Sequence, residues 1–281
     1  MFRKIAKKIL TKSPKTYTAI HTANFERTHK QDFSNLEKNE KELLDEIKNN
    51  GFVVIKDFFN EEFCQQCIKD MDLMYKNQKQ FVHEDDYGDS RIFGAEDLSE
   101  NIKNFYDHPL LNRLANAYSA VPTCCGFTLA GRIKASGKEY GSGGPWHRDS
   151  YFRQFKSLIY LTDVNENNGP FQIIRGSHKS DQISRDTKSG KLESMQCTFP
   201  SDTVDQILKD DSTRLTTLTA KAGTVILVDT SAIHRGTPLI EGIRYALTNY
   251  FFEKTQIDSH LVDHFSPIVS PEKVLKMGQT N

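Results

Sequence analysis

The sequence has no excess of charge of either sign, because 37 basic residues balance 37 acidic residues in a chain of 281. A nucleic-acid-binding domain usually carries a basic surplus, so this balance argues against nucleic acid as the partner. Apolar runs are also short, and none approaches the roughly 20 residues that a membrane-spanning helix needs. The sequence therefore favours a soluble protein with one large core.

Cysteine is scarce, with five residues in the whole chain. The odd number argues against a disulfide framework, and so do adjacent Cys124 and Cys125, whose side chains would leave opposite faces of a strand. Cys64 and Cys67 share one face of a predicted helix, but no second cysteine pair has metal-binding spacing, which predicts a packing role. This cysteine usage predicts a reducing, cytoplasmic location.

Residues 1–10 are unusual in composition, because a helical stripe of apolar side chains is surrounded by four cations. Such a segment predicts either peripheral contact with an anionic membrane or a solvated terminus. The polar stretch that follows is typical of a linker. We therefore predict a basic N-terminal segment and linker over residues 1–30 and a single catalytic domain over residues 31–281.

Helical periodicity dominates the first half of the chain, and strand patterns dominate the second. The predicted elements of the first half are a charged helix over 35–48, a strand over 51–55, a helix over 61–76 with Asn60 as N-cap, and helices over 100–119 that break at Pro109. Residues 82–93 are polar and predict a mobile loop. Residues 179–214 form a polar insertion with a predicted helix over 203–210, which we interpret as a substrate lid.

From residue 123 onward the pattern favours a barrel-like β fold. Apolar and β-branched residues fill 224–228 and 245–252, and turn signals bound each run. Aromatic residues are plentiful, with 18 Phe and 10 Tyr, as a β-rich core requires.

Two imidazoles and one carboxylate have the spacing of a redox-active metal site. His147 and Asp149 lie two residues apart, so on an extended strand their side chains leave the same face. His234 follows a predicted strand that would deliver it from a distant part of the chain. Two nitrogens and one oxygen leave three octahedral positions free, which suits ferrous iron that also binds a cosubstrate and O2, whereas structural zinc would have every position filled.

Arg244 begins another predicted strand, ten residues after His234 and among apolar neighbours. A buried guanidinium needs an acceptor for its fork of donors, and a carboxylate fits that fork best. The sequence therefore predicts that Arg244 binds a dicarboxylate cosubstrate.

With these motifs in place, the chain resembles the phytanoyl-CoA dioxygenase family of iron(II)- and 2-oxoglutarate-dependent oxygenases. The likeness covers about residues 51–252 and depends on an ordered set of motifs: His147-Arg148-Asp149, Asn167-Asn168-Gly169-Pro170, Gly176-Ser177-His178, His234 and Arg244. The resemblance implies a β-rich α+β fold, namely a double-stranded β-helix (a cupin-like jelly-roll barrel) with flanking helices. It also implies that His147, Asp149 and His234 hold Fe(II) and that Arg244 binds the distal carboxylate of 2-oxoglutarate.

The sequence departs from the family at two positions. Arg175 stands where proline commonly precedes Gly-Ser-His, and Gly236 stands where a small hydroxyl residue often contacts the cosubstrate. Thr237 is the predicted replacement for that hydroxyl. Alternation along 126–134 places Lys134 on a face that either points into the pocket, where it would bind the cosubstrate, or meets solvent.

The resemblance implies hydroxylation of a small-molecule, lipid or sugar-type substrate with O2, and release of succinate and CO2. It does not select the substrate, because members of the family act on chemically diverse compounds. Six cations near the metal strand predict an anionic substrate if they face the pocket, and a solvated basic edge otherwise. They are Arg132, Lys134, Lys138, Arg148, Arg153 and Lys156.

Two other classes of protein remain open. A non-catalytic sensor or binding module would retain the metal on the same fold, but it would have no evident need for Arg244. A metal-dependent isomerase or hydrolase would normally add further histidines near His147. Turnover of 2-oxoglutarate separates these classes from a dioxygenase. The sequence carries no signal for an oligomeric state.

Overall fold

The computed structural model describes residues 14–253, which contain seven α-helices and twelve β-strands. The helices are α1 (Pro14–Thr28), α2 (Lys38–Asn50), α3 (Glu61–Asn77), α4 (Glu100–Tyr106), α5 (Pro109–Ser119), α6 (Ser180–Ser189) and α7 (Ser201–Leu208). The strands are β1 (Phe52–Ile55), β2 (His83–Glu84), β3 (Asp89–Phe93), β4 (Thr123–Lys134), β5 (Trp146–His147), β6 (Phe155–Tyr160), β7 (Phe171–Ile174), β8 (Thr198–Phe199), β9 (Leu215–Leu218), β10 (Val225–Asp229), β11 (His234–Gly236) and β12 (Ile243–Glu253).

Local signals set the ends of the helices in the first half of the chain. The Asn60 side chain accepts a hydrogen bond from the backbone N–H of Phe63 at 2.9 Å and so caps α3. Gly51 ends α2 with φ of 92°, a left-handed conformation that glycine adopts without steric cost. Pro109 is the first residue of α5, where its missing N–H breaks no hydrogen bond. The predicted helices in this region are confirmed, with boundaries shifted by up to three residues.

The larger of two sheets has seven antiparallel strands in the order β1-β10-β6-β12-β4-β3-β2. Strands β4 and β12 pair along the whole length of β12. One face of this sheet packs against α2 to α5 and forms the main core, which includes Leu44, Ile47, Met71, Phe105, Leu114, Ile159, Leu227 and Leu247. Cys64 and Cys67 are buried and unpaired in the same core, which confirms their packing role.

The smaller sheet has five antiparallel strands in the order β8-β5-β11-β7-β9. Its inner side chains meet the other face of the larger sheet in a second apolar cluster, in which Ile173 of β7 packs with Ile226 of β10 and Ala246 of β12. The predicted double-stranded β-helix with flanking helices is confirmed, in the form of two facing sheets. The predicted closure into a barrel is not seen, because no strand of one sheet pairs with a strand of the other within residues 14–253.

The structure corrects two predictions. Residues 14–28 form helix α1, which packs against α6, and the predicted linker is wrong over this stretch. Residues 83–84 and 89–93 form strands of the larger sheet where a mobile loop was predicted. Residues 1–10, for which membrane contact is one of the predicted roles, lie outside the described residues. None of the helices in residues 14–253 combines the length and hydropathy that a membrane span requires.

Candidate active site

The three predicted ligands meet between the two sheets. His147 of β5 is the direct cross-strand partner of His234 of β11, and the two ring centroids are 4.3 Å apart. The backbone N–H of Asp149 donates to the carbonyl of Thr230 at 3.0 Å, which anchors the loop after β5 beside the strand that leads to His234. Asp149 Oδ1 lies 3.6 Å from His147 Nε2 and 3.9 Å from His234 Nε2. All three ligand atoms fall within 4.8 Å of one another.

Backbone carbonyls fix the orientation of both imidazoles. Nδ1 of His147 lies 2.8 Å from the carbonyl of Pro145, and Nδ1 of His234 lies 2.9 Å from the carbonyl of Ala232. Because a carbonyl only accepts, each Nδ1 carries the hydrogen and each Nε2 presents its lone pair. Both Nε2 atoms lie within 4 Å of Asp149 Oδ1. Two nitrogens and one oxygen on one side of a cavity fit ferrous iron with three positions left open.

The charges around the triad favour metal binding. Burial lowers the pKa of His234 to about 3, and the neighbouring His147 contributes in the same direction, so His234 is neutral at neutral pH. Enclosure raises the pKa of Asp149, but Lys156 and the two imidazoles outweigh that effect and hold this pKa well below its ordinary value. The triad therefore offers a neutral imidazole at His234 and a carboxylate at Asp149, the protonation states that these metal ligands need.

Arg244 supplies a buried cation on the wall of the same cavity. It is 7 % exposed near the start of β12. Its Nε has no hydrogen-bond partner among the described residues. Burial lowers the pKa of Arg244, but a guanidinium stays charged at neutral pH. A buried donor without an acceptor is costly, so this position favours an anionic ligand.

The cavity between the sheets has a volume of about 300 Å³, which is enough for a small molecule. Both sheets and the loop before β5 contribute to its wall. The lining residues include Arg91, Leu129, Ser142, Lys156, Leu158, Tyr160, Phe171, Val228, Gly236, Arg244, Thr248 and Tyr250, together with the three ligands. The wall thus combines apolar side chains with a few charged groups, as in other small-molecule sites.

The structure does not bring every predicted site residue into this cavity. Lys134 is exposed at the end of β4 and is not part of the lining. The hydroxyl of Thr237 donates to the carbonyl of Pro170 at 3.1 Å, so it is committed to the backbone outside the lining, whereas Gly236 does line the cavity. The geometry thus supports neither Lys134 nor Thr237 as a cosubstrate ligand.

Of the six cations near the metal strand, only Lys156 lines the cavity. Arg132 lies over the ring of Tyr75 at 3.9 Å, on the helical side of the larger sheet. Arg148 is buried behind the metal strand, where it donates to the carbonyl of Ser231 at 2.8 Å. These six cations therefore do not together form the predicted positive mouth, because five of them lie outside the cavity lining. No residue of the 179–214 insertion lines the cavity, so the lid prediction finds no support either.

Sequence reasoning missed Arg91 as a residue of the lining, and it named Lys156 among the six cations without predicting its partner. Lys156 places Nζ 2.6 Å from Asp149 Oδ2, and Arg91 places Nε 2.7 Å from Asp89 Oδ2. The signal for Lys156 was its position in the otherwise apolar strand β6, where a charged side chain needs a buried partner. No comparable signal marked Arg91, because the sequence of residues 82–93 is polar and predicts a loop rather than a strand.

The chain is similar to known proteins both in sequence and in fold. The family model for phytanoyl-CoA dioxygenase (PhyH) matches residues 47–240, which is more than half of the chain. Ectoine dioxygenase from Bordetella bronchiseptica is 29% identical over 97 residues, which cover 32% of this chain and 31% of that protein. The ectoine dioxygenase of Bordetella parapertussis matches to the same extent. The aligned region is therefore about a third of the length of these curated relatives.

Solved structures with the same fold include several proteins of low identity. The α-ketoglutarate-dependent epimerase SnoN aligns with a TM-score of 0.58 and 13% identity, over 77% of this chain and 83% of its own. The carbocyclase SnoK aligns with a TM-score of 0.57 and 16% identity, over 82% and 91%. HygX from Streptomyces hygroscopicus, solved with nickel and 2-oxoglutarate, aligns with a TM-score of 0.54 and 15% identity, over 75% and 86%.

At such identities the solved structures support the fold, whereas the family model spans the segment of this chain that contains His147, Asp149 and His234. The chain belongs to the phytanoyl-CoA dioxygenase family, a family of iron(II)- and 2-oxoglutarate-dependent dioxygenases.

Proposed function

We propose that this protein is an Fe(II)- and 2-oxoglutarate-dependent dioxygenase that hydroxylates a small molecule and releases succinate and CO2. The observation that carries the proposal is the buried guanidinium of Arg244, with an unpartnered Nε, on the wall of the cavity that holds the triad. A metal site alone would fit many functions. A metal site with a buried cation on the same wall fits a chelating dicarboxylate.

Each residue of the site has a distinct role in this proposal. His147, Asp149 and His234 would hold Fe(II) from one side and leave three positions for cosubstrate and O2. Arg244 would bind the distal carboxylate of 2-oxoglutarate. Apolar side chains such as Leu158 would exclude water, which strengthens the ion pair with Arg244. Bound iron would supply the oxidative chemistry that couples decarboxylation of 2-oxoglutarate to hydroxylation.

The experiment compares Arg244→Leu with the matched variant Arg132→Leu. Arg132 lies on the neighbouring strand, opposite Tyr245 in the register of β4 and β12, but its side chain is outside the cavity. Loss of the charge-assisted bonds to a buried carboxylate costs roughly 2 to 5 kcal/mol. We expect Arg244→Leu to weaken 2-oxoglutarate binding at least tenfold while metal still binds, and Arg132→Leu to leave it unchanged.

Binding is measured without O2 from the metal-to-ligand charge-transfer band of Fe(II) with 2-oxoglutarate, and turnover from succinate release against a panel of metabolites. Normal 2-oxoglutarate affinity in folded Arg244→Leu would remove Arg244 from the site. Absence of 2-oxoglutarate binding in the wild type would overturn the proposed function. Binding without succinate release, with or without metabolites, would favour a non-catalytic sensor instead.

A further inference from the structure

Lys156 is a buried cation in direct contact with one metal ligand. It lies in the centre of the larger sheet, where β6 is flanked by β10 and β12, and it is 7 % exposed. Its Nζ is 2.6 Å from Asp149 Oδ2 and 3.8 Å from the centroid of the Tyr250 ring. Tyr250 is the cross-strand partner of Lys156 on β12, so the sheet itself holds the ring beside the ammonium.

The two oxygens of Asp149 have different surroundings. Oδ1 faces the two imidazoles, at 3.6 Å from His147 Nε2 and 3.9 Å from His234 Nε2. Oδ2 faces Lys156. A carboxylate can bind a metal ion through one oxygen or through both. A buried ammonium paired with Oδ2 competes with the metal for that oxygen, because losing its carboxylate partner would leave the Lys156 charge buried and unpaired.

We propose that Lys156 is a positioning residue that keeps Asp149 bound to the metal through Oδ1 alone. The inference rests on the proposed function, because binding through one oxygen matters only if 2-oxoglutarate also binds the metal. If Oδ2 also bound, it would take one of the three positions that the triad leaves open. A chelating 2-oxoglutarate needs two of these positions and O2 needs the third. Lys156 would therefore protect cosubstrate binding without itself contacting the cosubstrate.

The surroundings of Lys156 argue for this role over recognition of substrate charge. Its ammonium already has one carboxylate partner and one aromatic face, and such a face attracts a cation. An anionic substrate would have to displace Asp149 from a contact of 2.6 Å.

The test compares Lys156→Met, which keeps the length of the side chain without its charge, with Lys156→Arg, which keeps the charge. Arg153→Met is the matched control, because Arg153 is also a largely buried cation in an ion pair, 3.0 Å from Glu26, but lies outside the cavity. Co(II) or Fe(II) affinity is measured through the fluorescence of Trp146, the only tryptophan of the chain. The affinity of the Fe(II)-loaded protein for 2-oxoglutarate is measured from the charge-transfer band without O2.

We expect Lys156→Met to bind metal within threefold of the wild type and 2-oxoglutarate at least tenfold more weakly. Lys156→Arg and Arg153→Met should keep both affinities within threefold. If Lys156→Met lost metal and 2-oxoglutarate binding together, Lys156 would be a structural support of the triad and the inference would be wrong. Unchanged binding of both would overturn it equally.

A second measurement does not depend on the folding of a variant. In a crystal structure of the wild type loaded with Ni(II), Asp149 should bind through Oδ1 alone, with Oδ2 still in contact with Lys156. Binding through both oxygens would overturn the inference. This measurement does not require 2-oxoglutarate. Failure of the wild type to bind 2-oxoglutarate would therefore count against the proposed function only. The coordination of Asp149 in the crystal would still decide the role of Lys156.

Discussion

Charged side chains around the triad fall into two groups, and the difference matters for binding. Lys156 and Asp149 are paired with each other at 2.6 Å, so each is oriented by another side chain of the protein. Arg244 has a buried Nε without a partner among the described residues, so part of its hydrogen-bonding capacity is left for a ligand. Groups that are already oriented lose little freedom on binding, which favours affinity.

At the residue scale, the first prediction concerns His234. His234→Ala should abolish the charge-transfer band of Fe(II) with 2-oxoglutarate, because two remaining ligands on one loop do not hold iron on one side of the cavity. The matched control is His178→Ala. His178 contacts the carbonyl of Lys48 at 3.1 Å and does not line the cavity, so this variant should keep the band. A normal band in folded His234→Ala would remove His234 from the metal site.

The sequence predicted the ligand triad and Arg244 because residue type and spacing carry the information. Two ligands two residues apart share one face of a strand, and a basic residue at the start of an apolar strand needs an anion. The partner of Lys156 could not be predicted in the same way. Lys156 and Asp149 are seven residues apart, and they meet because the chain turns from the smaller sheet into the larger one between them.

At the scale of elements, the missed segments are those whose buried groups are polar. Helix α1 has no apolar stripe, and it buries Thr18 and Thr22 instead. The buried hydroxyl of Thr22 has a hydrogen-bond partner, because it donates to the carbonyl of Thr18 at 3.0 Å. Strand β3 buries Asp89, which is paired with Arg91 at 2.7 Å. Hydrophobic periodicity detects neither segment, because the compensating partners are visible only in three dimensions.

The prediction at this scale concerns the connection between α2 and α5. Glu40 of α2 is buried, and its Oε1 accepts from Arg113 Nε at 2.9 Å while Oε2 accepts from its own helix cap at 3.2 Å. Glu40→Gln should lower the free energy of unfolding by about 1 to 2 kcal/mol at pH 7, since Arg113 is half-exposed and solvent screens the pair. Glu42→Gln on the exposed face of the same helix should have almost no effect.

The same pair gives a pH dependence of known sign. Hydrogen bonds from Arg113 lower the pKa of Glu40 in the folded protein, so the unfolded chain binds more protons below the ordinary glutamate pKa of about 4.3. The stability that Glu40 contributes is fully present above that value and is lost as the pH falls through the folded pKa. Urea unfolding at pH 7 and pH 4 should therefore show a smaller difference between wild type and Glu40→Gln at pH 4. A difference that stays constant or grows would contradict the ion pair.

At the scale of the whole molecule, the site joins the two sheets. His147 and His234 belong to the smaller sheet, whereas Lys156 and Arg244 belong to the larger one. A dicarboxylate that binds the metal at one end and Arg244 at the other would bridge both sheets. Among residues 14–253, no strand of one sheet pairs with a strand of the other, so the ligand would add a polar connection to the apolar packing between the sheets.

The last prediction follows from this bridging. A ligand that binds only the folded state stabilises it by about 2.7 kcal/mol at a free concentration 100 times its Kd. For a chain of this size, each kcal/mol raises Tm by about 2 to 4 °C. Adding 2-oxoglutarate to the metal-loaded protein without O2 should therefore raise Tm by about 5 to 10 °C at that concentration. In Arg244→Leu, a tenfold weaker affinity would reduce the stabilisation to about 1.4 kcal/mol at the same concentration, while the rise in Tm that metal alone produces should be unchanged. Differential scanning calorimetry of both proteins gives the comparison, and equal increments from 2-oxoglutarate would show that Arg244 does not take part in the bridge.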